Sequence, residues 1–438
     1  MSKRPRTSPR RPAKSGAVLP RTLEIDIETV GGRGDGIGHH NGEQVFVPGT
    51  VPGDRVVVAV ESRRGDGLAA SLRQVLSAGP GRVEAPCPHY SVCGGCSLQH
   101  LDDATYATWK RGQLVEALGR AGFGPELVAP LVRIPTGTRR RASLAFAQTH
   151  DKMFLGFNGR ASHQVVDVGT CLLLTPELNA ILPPLRTLLR DVVEAGTSGD
   201  VVMTLTETGV DLLIEAEARL DLFDRERLAA FADRLDLARL SWRRPGTGMI
   251  EPLAGRRPTV VRFAGVGVEI PWGGFLQPSS EGERALANLV FDAVGGRGPV
   301  ADLYAGCGSF TFPLAQKAAV HAVEGDAASL QALKSAADRS GARVTAEARD
   351  LTRRPLMADE LKRFQAVVFD PPRAGAAVQT EILAQSGPPL VVAVSCNPAT
   401  LARDARNLAR GGYRLTKATP VDQFPWSAHL EAVAVFEK

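Results

Sequence analysis

The feature that most constrains the fold is a regular alternation of short apolar segments with longer amphipathic segments, which begins near Thr259. The runs VADLY, QAVVFD and PLVVAVS have the length and composition of buried strands, and the segments between them have helical periodicity. Such alternation predicts a parallel, doubly wound α/β sheet of the Rossmann-like type. Ligands of these sheets bind where the parallel strands end, so residues that follow the apolar runs are the first candidates for a functional site.

A different periodicity precedes this region. The segment TLEIDIETV alternates apolar with acidic residues, and EQVFVPGTVPGDRVVVAV adds further strands separated by Pro-Gly turns. Residues 20–77 are therefore predicted to form a small β-barrel. This segment resembles the TRAM domain, an OB-like module of RNA-modifying enzymes, and the resemblance implies that it binds RNA.

The chain is long enough for two or three domains, with 438 residues. We expect a basic tail over 1–19, the barrel over 20–77, a central α+β domain over 78–258 and the α/β domain over 259–438. A helical stretch at about 101–121 is expected to pack on the α/β domain. The fold class is thus multidomain, and we expect a monomer with no obligate protein partner.

Charge separates the tail from the rest of the chain. Residues 1–21 hold seven Lys and Arg and no acid, whereas the remaining residues hold 45 basic against 47 acidic side chains. The tail is predicted to be disordered, and it is either an arm for a phosphate backbone or a solubilising terminus. We see no apolar run of about 18 residues and no secretory signal, so we expect a cytoplasmic protein without a membrane partner.

Two motifs predict a cofactor site in the α/β domain. DLYAGCGSF follows a strand with a tight glycine turn, and Glu324 ends the next strand, where an acid can accept hydrogen bonds from ribose hydroxyls. VVFDPPRAG puts an acid and two prolines at another strand end, an arrangement in which nucleotide methyltransferases receive a target base. A dinucleotide dehydrogenase has no use for that loop. The ligand is therefore predicted to be S-adenosylmethionine.

The segment VSCNPATLARD places Cys396 between a buried strand and a helix. A thiolate there can add to C6 of a uracil and make C5 nucleophilic enough to accept a methyl group. Since the N-terminus of a helix favours the thiolate, we expect it to lower the pKa of Cys396. The C5 proton must then be removed by a base, for which Glu431 near the end of the chain is the candidate. The uracil has to leave any stack, so single-stranded or looped RNA is the expected substrate.

Four further cysteines suggest a metal site. Cys87, Cys93 and Cys96 lie within ten residues of one another beside two glycines, and Cys171 follows after a long gap. Four thiolates suit tetrahedral zinc or a 4Fe-4S cluster. A zinc ribbon has two Cys-x-x-Cys pairs, and the absence of the second pair favours iron–sulfur.

The motifs SCNPATLARD, DPPRAG, DLYAGCGSF, GGFLQPS and DQFP…HLE together resemble the RNA uracil-5-methyltransferase family. With the barrel and the four extra cysteines, the chain is most similar to the branch that modifies 23S rRNA. The resemblance implies that Cys396 is the nucleophile, that Glu431 is the general base and that the cysteines hold a 4Fe-4S cluster. It also implies an S-adenosylmethionine site formed by Gln277, Tyr304, Ser309, Glu324, Asp350 and Asp370. The basic run Arg139–Arg141 is expected to contact RNA phosphates.

Two other classes of function fit parts of the sequence. A cytosine-5-methyltransferase also uses a cysteine nucleophile, but often in a Pro-Cys context that is absent here. A non-catalytic RNA-binding or folding factor would need none of Cys396, Glu431 and the glycine loop. Within the resembling family, a tRNA uridine is the alternative substrate to rRNA.

Overall fold

The computed structural model of the protein describes residues 21–438. These residues divide into two units, of which the first comprises the chain up to Val83 together with His100–Asp102, and the second comprises the rest. The predicted basic tail at 1–19 lies outside the described residues. No helix within 21–438 is long and apolar enough to cross a membrane.

The first unit is a closed five-stranded barrel in the order β1-β2-β3-β5-β4, as the alternation in the sequence predicts. Leu23, Ile25 and Ile27 of the first strand point into the barrel core, while the acidic residues between them are exposed. The strands are β1 (Thr22–Val30), β2 (Asp35–His40), β3 (Glu43–Pro48), β4 (Arg55–Arg64) and β5 (Gly67–Ser77).

The second unit contains two large sheets and one two-stranded sheet, and the first large sheet has seven strands in the order β13-β12-β11-β10-β7-β8-β9. Two helices pack on it and cover an apolar core that includes Leu144, Phe146 and Phe231. Its strands are β7 (Arg141–Gln148), β8 (Met153–Asn158), β9 (Val165–Asp167), β10 (Ser198–Thr206), β11 (Gly209–Ala216), β12 (Arg239–Arg243) and β13 (Ile250–Gly255), and its helices are α2 (Pro176–Val192) and α3 (Leu222–Arg234). The hairpin β14 (Val260–Phe263) and β15 (Val266–Glu269) follows it.

The second sheet of this unit has eight strands in the order β18-β17-β16-β19-β20-β22-β21-β6. Its strands are β6 (Val132–Arg133), β16 (Val300–Leu303), β17 (Val320–Glu324), β18 (Val344–Ala348), β19 (Ala366–Phe369), β20 (Leu390–Ser395), β21 (Arg414–Asp422) and β22 (Glu431–Glu437). The helices that flank it are α1 (Asp103–Gly119), α4 (Ser280–Val294), α5 (Thr311–Ala315), α6 (Ala327–Ser340), α7 (Ala358–Leu361), α8 (Ala377–Ser386) and α9 (Pro398–Arg410). A short 3-10 helix spans Pro125–Leu127. Helix α1 packs against α9 and β21.

The prediction of a parallel sheet is correct except for one strand. β22 runs antiparallel to both β20 and β21, between which it lies. A loop rather than a helical crossover connects β21 to β22, and strands joined in this way pair antiparallel. As a result, β22 begins at the edge of the sheet where the parallel strands end.

Candidate active site

A cavity of about 1050 Å³ lies at the carboxyl edge of the eight-stranded sheet. Asp350, one of the predicted site residues, does not line it: it is exposed and follows the edge strand β18. The other five predicted cofactor residues line this cavity together with the predicted nucleophile and the predicted base. Those that line it are Gln277, Tyr304, Ser309, Glu324, Asp370, Cys396 and Glu431.

The loop after β16 adopts backbone conformations that most residues disfavour. Gly306 and Gly308 have φ angles of 54° and 99°. A Cβ atom on Gly308 would lie 2.6 Å from the ring of Phe312, so only glycine fits there. Tyr304 has a φ angle of 61° although it carries a side chain, a strain that is found mostly at binding sites. The loop therefore brings the backbone close to the contents of the cavity.

Glu324 is held by the backbone around it. The N–H of Gly306 donates to Oε2 at 2.8 Å, and the N–H of Asp326 donates to Oε1 at 2.7 Å. Each carboxylate oxygen retains a further lone pair for a ligand. Glu324 can therefore accept two further hydrogen bonds from a pair of neighbouring hydroxyl groups.

Two carboxyl groups at this edge have raised pKa values. Burial raises the pKa of Asp302 to about 7, and the Thr311 hydroxyl donates to its Oδ2 at 2.6 Å. Burial also raises the pKa of Asp370, which follows β19 and lines the cavity. A protonated carboxyl group can donate a hydrogen bond, whereas a carboxylate only accepts, so the hydrogen bonds that Asp370 can form in the cavity depend on pH.

Cys396 and Glu431 reach the cavity from strands that run in opposite directions. Cys396 follows the last residue of β20, and Glu431 is the first residue of β22. Ser395 pairs with Ala432 in these two strands, so the cysteine and the acid stand at the same end of the pair. A strand parallel to its neighbours would have carried Glu431 to the far edge of the sheet.

The expectation that helix α9 lowers the pKa of Cys396 is wrong for this structure. Burial, followed by the carboxyl groups of Glu431 and Asp370, raises the pKa of the thiol to about 11, although Arg373 opposes the shift. Desolvation and two nearby acids outweigh Arg373 and a backbone hydrogen bond at Cys396, both of which lower the pKa. The thiol is therefore neutral at pH 7 in the protein without substrate.

Glu431 has the surroundings of a proton acceptor. It is 5% exposed. Burial and then the Asp370 carboxyl group raise its pKa, while a hydrogen bond with the Gln423 side chain lowers it. A carboxylate with a raised pKa binds a proton more tightly than an exposed carboxylate does, which suits a general base.

The loop of residues 423–430, which connects β21 to β22, is held by side chains that the sequence did not point to. Lys110 of α1 is fully buried, and its Nζ lies 2.8 Å from Asp422 Oδ1 and donates to the carbonyl of His429. Tyr106, one turn earlier, donates its hydroxyl to Asp422 Oδ2 at 2.7 Å and accepts from the N–H of Trp426 at 2.8 Å. A lysine in an amphipathic helix ordinarily indicates a solvated face, so no local signal identifies Lys110.

The same loop contacts the cysteine-rich segment. The N–H groups of Ser97 and Leu98 donate to the carbonyl of Trp426, at 2.8 and 3.1 Å. These two residues directly follow Cys96. The loop that precedes Glu431 is therefore anchored by α1 and by the segment that carries three of the four clustered cysteines.

The basic run Arg139–Arg141 only partly fits the expected role in phosphate binding. Arg140 is 9% exposed, and its Nη2 lies 2.7 Å from Oε2 of Glu283, so it is committed to a buried ion pair. Arg139 and Arg141 line the large cavity, and burial lowers the pKa of both. These two side chains therefore face the cavity rather than the outer surface.

The four clustered cysteines line a second cavity, of about 40 Å³, together with Arg139. Burial raises the pKa values of Cys93 and Cys171, and it raises that of Cys96 to about 12. The N–H of Gly95 donates to the sulfur of Cys93 at 3.4 Å. Within residues 21–438, no group of three or more His, Cys, Asp or Glu side chains is arranged to hold a metal ion. The structure thus brings the predicted ligands to one cavity without a metal site being shown.

Comparisons with known proteins agree with the geometry. A family model described as tRNA (uracil-5-)-methyltransferase matches residues 268–438, and a TRAM-domain model matches residues 20–70. An uncharacterized RNA methyltransferase of Brucella suis is 44% identical over 420 residues, which cover 95% of this chain and 98% of the relative. The 23S rRNA (uracil(1939)-C(5))-methyltransferase of Pectobacterium atrosepticum is 32% identical, with 98% of this chain and 96% of that protein covered.

A solved structure has the same fold. The tRNA (uracil-54, C5)-methyltransferase of Pyrococcus abyssi, in complex with S-adenosyl-L-homocysteine, is 24% identical to this chain. It matches with a TM-score of 0.75 over 94% of this chain and 100% of that one.

Proposed function

The chain belongs to the RNA uracil-5-methyltransferase family, and on that premise we propose that it methylates C5 of one uridine in 23S rRNA through a covalent adduct with Cys396. One observation carries the proposal: a cysteine and a buried acid, Cys396 and Glu431, open onto the same cavity at the edge of the sheet. The reaction needs a nucleophile for C6 and an acceptor for the C5 proton within reach of one base.

The steps follow from the groups that line the cavity. The Cys396 sulfur bonds to C6 of the uracil, and the electrons of the C5=C6 double bond become an enolate that attacks the methyl group. S-adenosylmethionine would supply that methyl group, whose bond to the sulfonium sulfur breaks as S-adenosylhomocysteine leaves. The Glu431 carboxylate then takes the C5 proton, the double bond forms again and the C6–S bond breaks, which returns the electron pair to Cys396. Because the free thiol has a pKa of about 11, its deprotonation is a cost that substrate binding has to offset.

The other residues of the cavity fit the nucleoside part of the cofactor. Glu324, ordered by two backbone N–H groups, would bind the ribose hydroxyls. Gln277, Tyr304 and Ser309 would bind the remainder of the cofactor. Asp370, with the rigid Pro371, would stand beside the target base. Asp350 is the sixth predicted cofactor residue, and its exposed position leaves it at the margin of this site.

We propose further that Cys87, Cys93, Cys96 and Cys171 hold a 4Fe-4S cluster. Each thiolate of such a cluster binds a different iron, so the four sulfurs stand further apart than the ligands of a single ion. A cavity enclosed by four cysteines suits that arrangement. Asn179 holds Cys171 in place, since it accepts from the Cys171 N–H at 2.9 Å and donates to the Cys171 carbonyl at 3.0 Å.

The choice of RNA rests on the relatives. The rRNA enzyme of Pectobacterium atrosepticum aligns over nearly the whole chain, whereas the family model for 268–438 and the Pyrococcus abyssi structure carry tRNA names. Mapping 5-methyluridine in the rRNA and tRNA of a strain that lacks the gene tests the proposal. We expect loss of one 5-methyluridine from 23S rRNA, restored by the wild-type gene and not by Cys396→Ala. Loss from tRNA alone would contradict the rRNA assignment.

A further inference from the structure

One wall of the large cavity is an irregular segment of the chain, residues 271–278, which we call the wall segment. All eight of its residues line the cavity, and none of them belongs to a helix or a strand. It includes Gln277, which is 7% exposed and is one of the proposed cofactor residues. A segment without a ladder of backbone hydrogen bonds keeps one shape only if other groups bind its peptide units. Two buried arginines do so here, one at each end.

Arg140, directly before β7, binds the end of the wall segment that carries Gln277. Its Nε donates to the carbonyl of Gln277 at 3.3 Å, and its backbone N–H donates to the carbonyl of Pro278 at 2.8 Å. Its Nη2 lies 2.7 Å from Oε2 of Glu283 in α4. Its own carbonyl accepts from the N–H of Leu205 in β10 at 2.7 Å. Arg140 therefore joins the seven-stranded sheet, the wall segment and α4 at one point.

Arg239, the first residue of β12, binds the opposite end of the wall segment. Its Nη1 donates to the carbonyl of Ile270 at 2.8 Å, and its Nη2 donates to the carbonyl of Pro271 at 3.2 Å. The same Nη2 lies 2.6 Å from Oδ2 of Asp211. The guanidinium group also stands 4.4 Å from the centre of the Trp272 ring, where a cation is attracted to the aromatic face. Both arginines and both of their acidic partners are buried.

A contribution to stability is by itself a poor explanation for two buried ion pairs. Apolar side chains of similar volume often stabilise a protein as well or better, since two charges lose their hydration on burial. What a guanidinium group adds is direction, because it is planar and holds its N–H donors in a fixed arrangement. Arg140 uses different nitrogen atoms for the Glu283 carboxylate and for the Gln277 carbonyl. It can therefore fix the position of that carbonyl relative to the carboxylate.

We propose that Arg140 and Arg239 are positioning residues for cofactor binding, which hold the two ends of the wall segment so that Gln277 faces the cofactor. The inference rests on the proposed S-adenosylmethionine site. Neither arginine lines the cavity, so each acts through the wall segment rather than on the cofactor itself. For Arg140, this role takes the place of the phosphate contact that the basic run Arg139–Arg141 suggested.

The test measures the dissociation constant of S-adenosylhomocysteine for the full-length protein by isothermal titration calorimetry. Arg140→Lys and Arg239→Lys keep a positive charge beside the acid and give up the fixed bonds to the wall segment, so each should weaken binding about tenfold. The KM for S-adenosylmethionine should rise by the same factor with kcat nearly unchanged, which a general loss of stability would not produce. Arg243→Lys is the matched control, because Arg243 ends β12 and its Nε donates to Glu215 at 2.7 Å, away from the cavity. This control should bind S-adenosylhomocysteine as the wild type does.

A further variant separates positioning from phosphate binding. Arg140→Met combined with Glu283→Gln leaves no buried charge unpaired, and its affinity for a 23S rRNA transcript should depend on salt with the wild-type slope. A slope reduced by about one would assign Arg140 to a phosphate and overturn its role here. Wild-type affinity for S-adenosylhomocysteine in Arg140→Lys or in Arg239→Lys would likewise overturn the role of that arginine. Absence of S-adenosylhomocysteine binding by the wild-type protein would instead overturn the proposed cofactor site.

Discussion

Burial, more than the neighbouring residues in the sequence, determines the pKa values of the titratable residues in this site. Cys396, Glu431 and Asp370 follow or begin three strands, and each has a raised pKa because burial penalises the charged form. Short motifs made these three residues candidates, since the proposed reaction needs a thiol and an acid. Their pKa values could not be predicted, because the groups that shift them come from distant parts of the chain.

The raised pKa of Cys396 predicts slow alkylation in the protein without RNA. Iodoacetamide reacts with the thiolate, so the rate at Cys396 should rise about tenfold per pH unit from pH 7 to 10 without a plateau. Peptide mass spectrometry distinguishes Cys396 from the other cysteines. A plateau below pH 9 would show that the thiol is not held in its neutral form.

Two variants separate the causes of this shift. Glu431→Gln removes a carboxyl group that raises the pKa of Cys396, so alkylation should become faster above about pH 8, where Glu431 is ionised. Arg373→Gln removes the opposing positive charge, so alkylation should become slower. If both variants changed the rate in the same direction, a change of access rather than of charge would be the cause.

At the scale of elements, the site depends on one antiparallel strand and on the loop before it. The periodicity of the sequence predicted the sheet, its helices and the barrel, because buried strands and amphipathic helices have distinct patterns. It did not predict the direction of β22, nor that α1 would hold the loop of residues 423–430. Both features depend on contacts between residues far apart in the sequence. Lys110 and Asp422 form such a contact at 2.8 Å.

Replacement of Lys110 by Met should loosen the loop of residues 423–430. The change leaves Asp422 buried without its ion-pair partner, which typically costs about 3–5 kcal/mol. Hydrogen exchange at 423–430 should therefore become at least about a hundredfold faster, and the thermal midpoint should fall.

Two further variants make this prediction specific. Lys110→Met combined with Asp422→Asn should recover part of the loss, because no buried charge then remains unpaired. Lys362→Met should change neither measurement, since Lys362 and its partner Asp359 are 68% and 89% exposed. Unchanged exchange in Lys110→Met would show that α1 does not hold the loop.

At the scale of the whole molecule, the proposed cluster and the active site meet at the same loop. Ser97 and Leu98, which follow Cys96, bind the carbonyl of Trp426. Sequence spacing predicted that the cysteines would come together, and they do so at one cavity. It gave no indication that their segment also supports the loop before Glu431.

Metal content and loop order should therefore change together. Protein purified without oxygen should contain about four irons per chain, and Cys171→Ser should remove them. Loss of the cluster should lower stability and speed hydrogen exchange at 423–430, because binding energy at a ligand-held site is folding energy. Stoichiometric zinc in place of iron would overturn the cluster assignment. Loss of iron with unchanged exchange at 423–430 would show that the cluster does not support the loop.

The central claim, covalent catalysis by Cys396, is tested most directly with RNA that carries 5-fluorouridine at the target position. After methyl transfer the fluorine cannot leave C5 as a proton would, so the adduct should persist. In the presence of S-adenosylmethionine, the wild-type protein should form a complex that survives denaturation and has the mass of protein, RNA and one methyl group. Cys396→Ala should form none. A stable adduct with Cys396→Ala, or none with a wild-type protein that methylates ordinary uridine, would contradict the account.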